Sequence, residues 1–151
     1  MRLVISLILS SLSAYGSHSI LLMGDDPGSW PRIFGSVGLT VNQVNNMPPA
    51  VLASQVENGA LVVLEGASEY AEAFAIKAGA NRVPVRSIID DHDSKLPIIW
   101  QKQIDLPVFT LPPGSSIFAR ERWTRAPVMA GFRKGKGAVL WVASSPGEKR
   151  L

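Results

Sequence analysis

The sequence predicts an α/β fold: a three-layer sandwich on a mainly parallel, doubly wound sheet, with antiparallel strands added at its edge. Three observations predict it. Residues 20–79 alternate three times between a short apolar run and a segment with helical spacing, as strand-helix-strand crossovers require. The apolar runs are continuous rather than alternating, which suits strands buried on both faces. Past residue 80 the pattern changes to short β-prone stretches broken by Pro, Gly and Asp, as expected of antiparallel additions. All of this fits one domain, because 151 residues fall within the usual range of about 100 to 200 per domain.

The first strand is the run at 20–23, which stops at Gly24. Trp30, Ile33, Phe34 and Val37 then recur at helical spacing, with Ser29 as cap, Pro31 in the first turn and Gly38 as terminator. A second strand is predicted over 40–44. Pro48 and Pro49 open a helix that carries Val51, Leu52 and Val56 and closes at Asn58 and Gly59. The strand at 60–64 is the most apolar and is expected in the middle of the sheet. Ser68 caps a third helix with Tyr70, Ala73 and Phe74 inward, ending at Gly79. In the second half, 81–89, 97–100, 107–111 and 116–119 are short strand candidates, and 128–132 with 138–143 form a hairpin. The few residues after Ser144 cannot supply a covering helix, so a chain truncated at its C-terminus, or the front part of a longer protein, is expected.

Composition narrows function further. With no cysteine, the chain has no thiolate nucleophile, disulfide or Cys-ligated metal, and its two histidines, His18 and His92, make a His-rich site improbable. No cofactor is expected. Arg2, the uncharged run at 3–12, and Ala14 and Gly16 form the pattern of an export signal over residues 1–16, cleaved before Ser17, with the domain at 17–151; the competing reading makes Val4 to Leu9 a buried strand or helix of the fold. The apolar core of that signal is too short to span a bilayer, so an exported protein without stable membrane insertion is expected. Basic residues gather toward the end, at Arg120, Arg122, Arg125, Arg133, Lys134, Lys136, Lys149 and Arg150. No stacking-aromatic motif accompanies them, and Trp123, Phe132 and Trp141 sit at strand-like positions, so nucleic acid is not an expected partner.

The run at 56–74, Val-Glu-Asn-Gly-Ala-Leu-Val-Val-Leu-Glu-Gly-Ala-Ser-Glu-Tyr-Ala-Glu-Ala-Phe, resembles the strand-elbow-helix of the class I glutamine-amidotransferase-like superfamily. The run at 131–143 resembles the late hairpin of such domains in secreted carbohydrate-active proteins, including relatives of the trehalose-utilisation and β-galactosidase trimerisation types. The resemblance implies a flavodoxin-like or amidotransferase-like fold. It also implies a degenerate site, because active members carry a nucleophilic Cys at the elbow and here Leu64, Glu65 and Gly66 occupy it. It further implies a non-catalytic accessory or assembly role, with a downstream catalytic domain or a carbohydrate-active partner.

Candidate ligand-binding residues are Gly24, Asp25, Asp26, Glu65 and Ser68, all placed by the pattern at strand ends, where open α/β sheets hold ligands. Each has a plainer role. Asp25 and Asp26 suit a turn beside a helix N-terminus, and Ser68 suits an N-cap. Two enzyme or signalling alternatives use the same residues. One is a small hydrolase, with Ser68 in half of a G-x-S-x-G elbow or with a metal-assisted site at Asp25, Asp26 and Glu65. The other is a receiver-like domain, whose phosphorylated Asp would here be Glu65. The run Asp90, Asp91, His92, Asp93 reads as a polar loop rather than a metal site, because it lacks EF-hand spacing. Trp100, Trp123 and Trp141 offer rings that can stack on sugars, but tryptophan in apolar runs is usually core, and the core is where they are expected.

Overall fold

The computed structural model describes residues 19–24, 26–92 and 97–144. The predicted signal at 1–16 lies outside them, as do Asp25 and Asp93. Eight strands form a single mixed sheet: β1 (Ile20–Met23), β2 (Val41–Val44), β3 (Leu61–Glu65), β4 (Lys77–Asp90), β5 (Ile98–Thr110), β6 (Ser116–Glu121), β7 (Pro127–Lys134) and β8 (Gly137–Val142). The strand order is β2-β1-β3-β8-β7-β6-β4-β5. The helices are α1 (Trp30–Gly35), α2 (Pro49–Glu57) and α3 (Glu69–Ala73).

This corrects the predicted fold class. Half of the described residues are strand and 17% are helix, and most strands run antiparallel, so the molecule is not a three-layer parallel sandwich. Pairings β2-β1, β1-β3 and β3-β8 are parallel. Every pairing from β8 out to β5 is antiparallel. The supposed edge additions are thus half of the sheet. The reason lies in the strand lengths: Pro84 pairs opposite Asp105 and Pro107 opposite Arg82, so residues that resemble breaks sit inside a long ribbon whose register shifts absorb them. The third helix is also shorter than predicted. It ends at Ala73, Ala75 adopts φ +61, and residues 77–79 belong to β4.

The parallel half follows crossover rules. The chain steps from β1 outward to β2, then back across β1 to β3, so two right-handed crossovers place their helices on opposite faces. On one face Trp30 and Phe34 of α1 pack on Ile20, Leu22, Leu61 and Val63. On the other, Leu52 and Val56 of α2 and Ala71 and Phe74 pack on Leu21, Val62 and Leu64. Val37 and Val51, which the pattern placed on inward faces, are exposed.

The antiparallel ribbon β4-β5 joins that second core. Val85, Ile88, Trp100 and Phe109 belong to the same cluster as Leu52 and Val56, and Phe109 meets Trp141 of β8 edge-on at 4.7 Å between ring centroids. Strands β5 and β8 are four places apart in the order, and neighbouring strands stand about 4.8 Å apart, so a flat sheet would hold these rings well out of contact. The sheet therefore curls over the face that carries α2 and α3.

The β7-β8 turn locks onto α2. Lys136 N donates to Glu57 O at 2.9 Å and Ala138 N to Ala60 O at 3.2 Å. A Cβ on Gly137 would lie 2.1 Å from Ala60 O and 2.2 Å from Val56 O, so only glycine permits this approach.

Candidate functional site

The predicted site residues gather at the C-terminal ends of β1 and β3, where the strand order reverses direction. Leu22 pairs with Val63, which brings Gly24 and Glu65 to the same end of adjacent parallel strands. Gly24 takes φ +118, its N donates to Val44 O at 3.3 Å, and its O accepts from Gln43 Nε2 at 2.8 Å. Asp26 Oδ1 accepts from Gly28 N at 2.9 Å, closing an Asx turn before α1.

Glu65 is partly buried, and one of its carboxyl oxygens is taken. Trp30, buried at the start of α1, donates its indole N–H to Glu65 Oε1. The next residue is equally occupied: Gly66 N donates to Val142 O at 2.8 Å, and Gly66 O accepts from Trp141 Nε1 at 3.0 Å. Ser68 Oγ accepts from Ala71 N at 3.1 Å, the predicted N-cap of α3. Ser29, predicted to cap α1, makes no side-chain cap bond and is itself buried. The structure thus brings Gly24, Glu65 and Gly66 together and turns Ser68 onto its own helix.

The acidic loop after β4 splits its side chains as a polar turn does. Asp90 Oδ1 accepts from His92 N at 2.7 Å, while Asp91 turns toward Arg120 Nε at 2.9 Å and Arg125 Nη2 at 3.4 Å. Among the described residues, no three His, Asp or Glu side chains cluster so as to hold a metal ion.

Sequence reasoning missed the loop that follows β6. Glu121 is fully buried, and its Oε2 accepts from Trp123 N at 2.9 Å, Thr124 N at 2.5 Å and Thr124 Oγ1 at 2.8 Å. Its Oε1 has no hydrogen-bond partner among the described residues, and neither has the buried Ser87 Oγ. Burying a carboxyl group is costly unless its oxygens are satisfied; three donors on Oε2 offset part of that cost, and Oε1 bears the rest. The loop closes through Glu121 N donating to Ala126 O and Arg125 N to Glu121 O, with Arg125 at φ +63. Outside, Arg120 Nη1 donates to Arg125 O at 3.2 Å. Trp123, expected in the core, projects from this loop into solvent, with the Arg122 guanidinium 5.4 Å above its ring. Trp100 and Trp141 are buried as expected. The signal was in the flanks, because Trp123 stands in Arg-Glu-Arg-Trp-Thr-Arg whereas the two buried rings stand in apolar runs.

No family model matches the sequence, and no curated protein matches it. Solved structures do share the fold. A cytoplasmic protein from Salmonella typhimurium superposes with a TM-score of 0.58 at 11% identity, over 85% of this chain and 89% of that one. The β-galactosidase from Rahnella sp. R3 gives 0.58 at 14% identity, over 92% of this chain but 31% of the enzyme. The exo-β-1,4-mannosidase from Opitutaceae bacterium strain TAV5 gives 0.52 at 14%, over 93% of this chain and 33% of the enzyme. The structural neighbours therefore include glycoside hydrolases, and this chain spans about a third of each of these two. Among the described residues, no helix is long and apolar enough to cross a membrane.

Proposed function

We propose that this chain is a non-catalytic accessory or assembly domain of an exported, carbohydrate-active protein. One observation carries the reading: the polar groups at the turn after β3 are engaged inside the fold. Glu65 holds the Trp30 indole, Gly66 is tied through both its N–H and its carbonyl, and the Ser68 oxygen caps α3. A nucleophile must be free to approach its substrate, with a base within hydrogen-bond reach. Here the last residue of the strand carries a carboxyl group held by an indole, and the hydroxyl three residues on serves the backbone of its own helix. The amidotransferase-like resemblance at 56–74 fits this picture as an elbow without its thiol.

The carbohydrate association is supported by the two glycosidases, which share the fold over about a third of their length. In this reading the domain accompanies a catalytic domain or partner that performs the chemistry, and residues 1–16 direct it out of the cytoplasm.

The test is turnover. Purified chain is assayed on p-nitrophenyl acetate, p-nitrophenyl β-galactoside and p-nitrophenyl β-mannoside. The expected rate equals the blank for the wild type, Ser68→Ala and Glu65→Gln alike. Wild-type hydrolysis that Ser68→Ala or Glu65→Gln abolishes would replace this reading with a hydrolase centred on the elbow.

A further inference from the structure

The loop at 121–126 is held from both sides, yet what it holds out is an indole. Trp123 is 69% exposed, whereas Trp30, Trp100 and Trp141 are buried. Arg122 lies over one face of the ring, and an exposure this high leaves the other face open to solvent. Arg120 and Arg125 are both paired with Asp91, so Arg122 is the guanidinium of the loop that makes no ion pair among the described residues. Its N donates to Ser87 O, which fixes the backbone from which both side chains spring.

We propose that Trp123 and Arg122 form a saccharide-binding platform. It takes the C–H face of a pyranose ring on the open face of the indole, while the Arg122 guanidinium backs the opposite face. The face of an aromatic ring carries negative potential, so it attracts the weakly positive C–H groups along one side of a pyranose. The Arg122 guanidinium on the opposite face holds the ring in place by a cation–π contact. Because the loop is already fixed by Glu121 and by Arg120, little conformational freedom is lost when a ligand docks. A small ligand fits better than a protein partner. A stable protein interface buries about 800 Å² on each side, and the large exposed hydrophobics of the described residues are Val37, Val51, Ile99 and Trp123, of which only Ile99 lies nearby, paired with Ser87 across β4.

The proposal rests on the carbohydrate-associated reading above, but it concerns a different part of the molecule from the elbow. It is tested by titrating β-1,4-galactotetraose and β-1,4-mannotetraose into the chain, with binding read by calorimetry and by tryptophan emission. At least one probe is expected to bind with a Kd of about 0.1–1 mM. Trp123→Ala should weaken that binding about tenfold or more, Arg122→Ala by a smaller factor, and Trp123→Phe should retain part of it, a pattern expected of a ring that stacks. Circular dichroism melting of each variant should match the wild type, which separates lost contact from lost fold. Absence of binding by both probes up to about 10 mM, or a Trp123→Ala affinity within about twofold of wild type, overturns the proposal. A change of oligomeric state in Trp123→Ala without sugar binding also overturns it and assigns the ring to a protein contact. Esterase or glycosidase turnover at the elbow would sink the accessory reading and leave this binding result standing.

Discussion

Glu65 and Glu121 each end a strand, β3 and β6, and each holds a tryptophan, yet the two indoles finish in opposite environments. At Glu65 the carboxylate accepts from the indole itself, and Trp30 is drawn down beside the strand ends of the parallel half. At Glu121 the carboxylate accepts from backbone N–H groups and a hydroxyl, and the indole of Trp123 is left outside. The same two residue types thus fill a crevice in one place and build a pedestal in the other. What differs is the donor. A glutamate that meets a side chain from a distant helix closes a gap between elements, whereas one that meets its own following residues fixes a turn and frees the side chains that turn carries.

The largest effect that would break both arrangements lies at the strand the two halves share. Gly137→Ala would force apart the start of β8 and the end of α2, where the added Cβ has 2.1 Å to the nearest carbonyl oxygen. A loss of about 3 kcal/mol or more in urea unfolding is expected, together with loss of both tryptophan environments. Next comes Glu121→Gln, which replaces the carboxyl group accepting three hydrogen bonds with an amide and places new N–H donors in a buried site. Unfolding should become easier by about 1–3 kcal/mol, and the Trp123 loop should lose protection in amide exchange. Glu65→Gln changes a single partly buried acceptor and should cost about 0.5–1.5 kcal/mol, with a shift in Trp30 emission. Trp123→Ala should be smallest, within about 0.5 kcal/mol of wild type, because the ring buries little. If Glu65→Gln cost as much as Glu121→Gln, the contrast between the two carboxylates would collapse.

The parallel half was the more legible in sequence. Continuous apolar runs at 20–23 and 61–64, the proline pair before α2 and Ser68 before α3 each express a local rule, and the structure forms β1, β3, α2 and the Ser68 cap there. The antiparallel half was legible only in part: the hairpin expected at 128–132 and 138–143 forms as β7 and β8, but the length and order of β4, β5 and β6 come from partners distant in sequence. Pro84, Asp105 and Pro107 read locally as breaks, and only cross-strand pairing and bulges make them parts of long strands. For the same reason a mainly parallel sheet was expected where a mixed one forms. The candidate site divides similarly. Register placed Gly24 beside Glu65, but no pattern could show that Trp30, far from Glu65 in the chain, would occupy its carboxylate.

Strand β8 lies between β3 and β7, near the middle of the sheet, yet among the described residues it is the last strand to be made. On a ribosome, β1, β2 and β3 emerge with one side of β3 unpaired until residues 137–142 follow. At about 5–20 residues per second that interval lasts several seconds. Throughout it, the most apolar segment of the chain presents a bare hydrogen-bonding edge, the kind of surface on which strands from other molecules add. Synthesis before residue 137 is therefore a stage at which this edge is open to foreign strands and a holding chaperone would have a surface to cover.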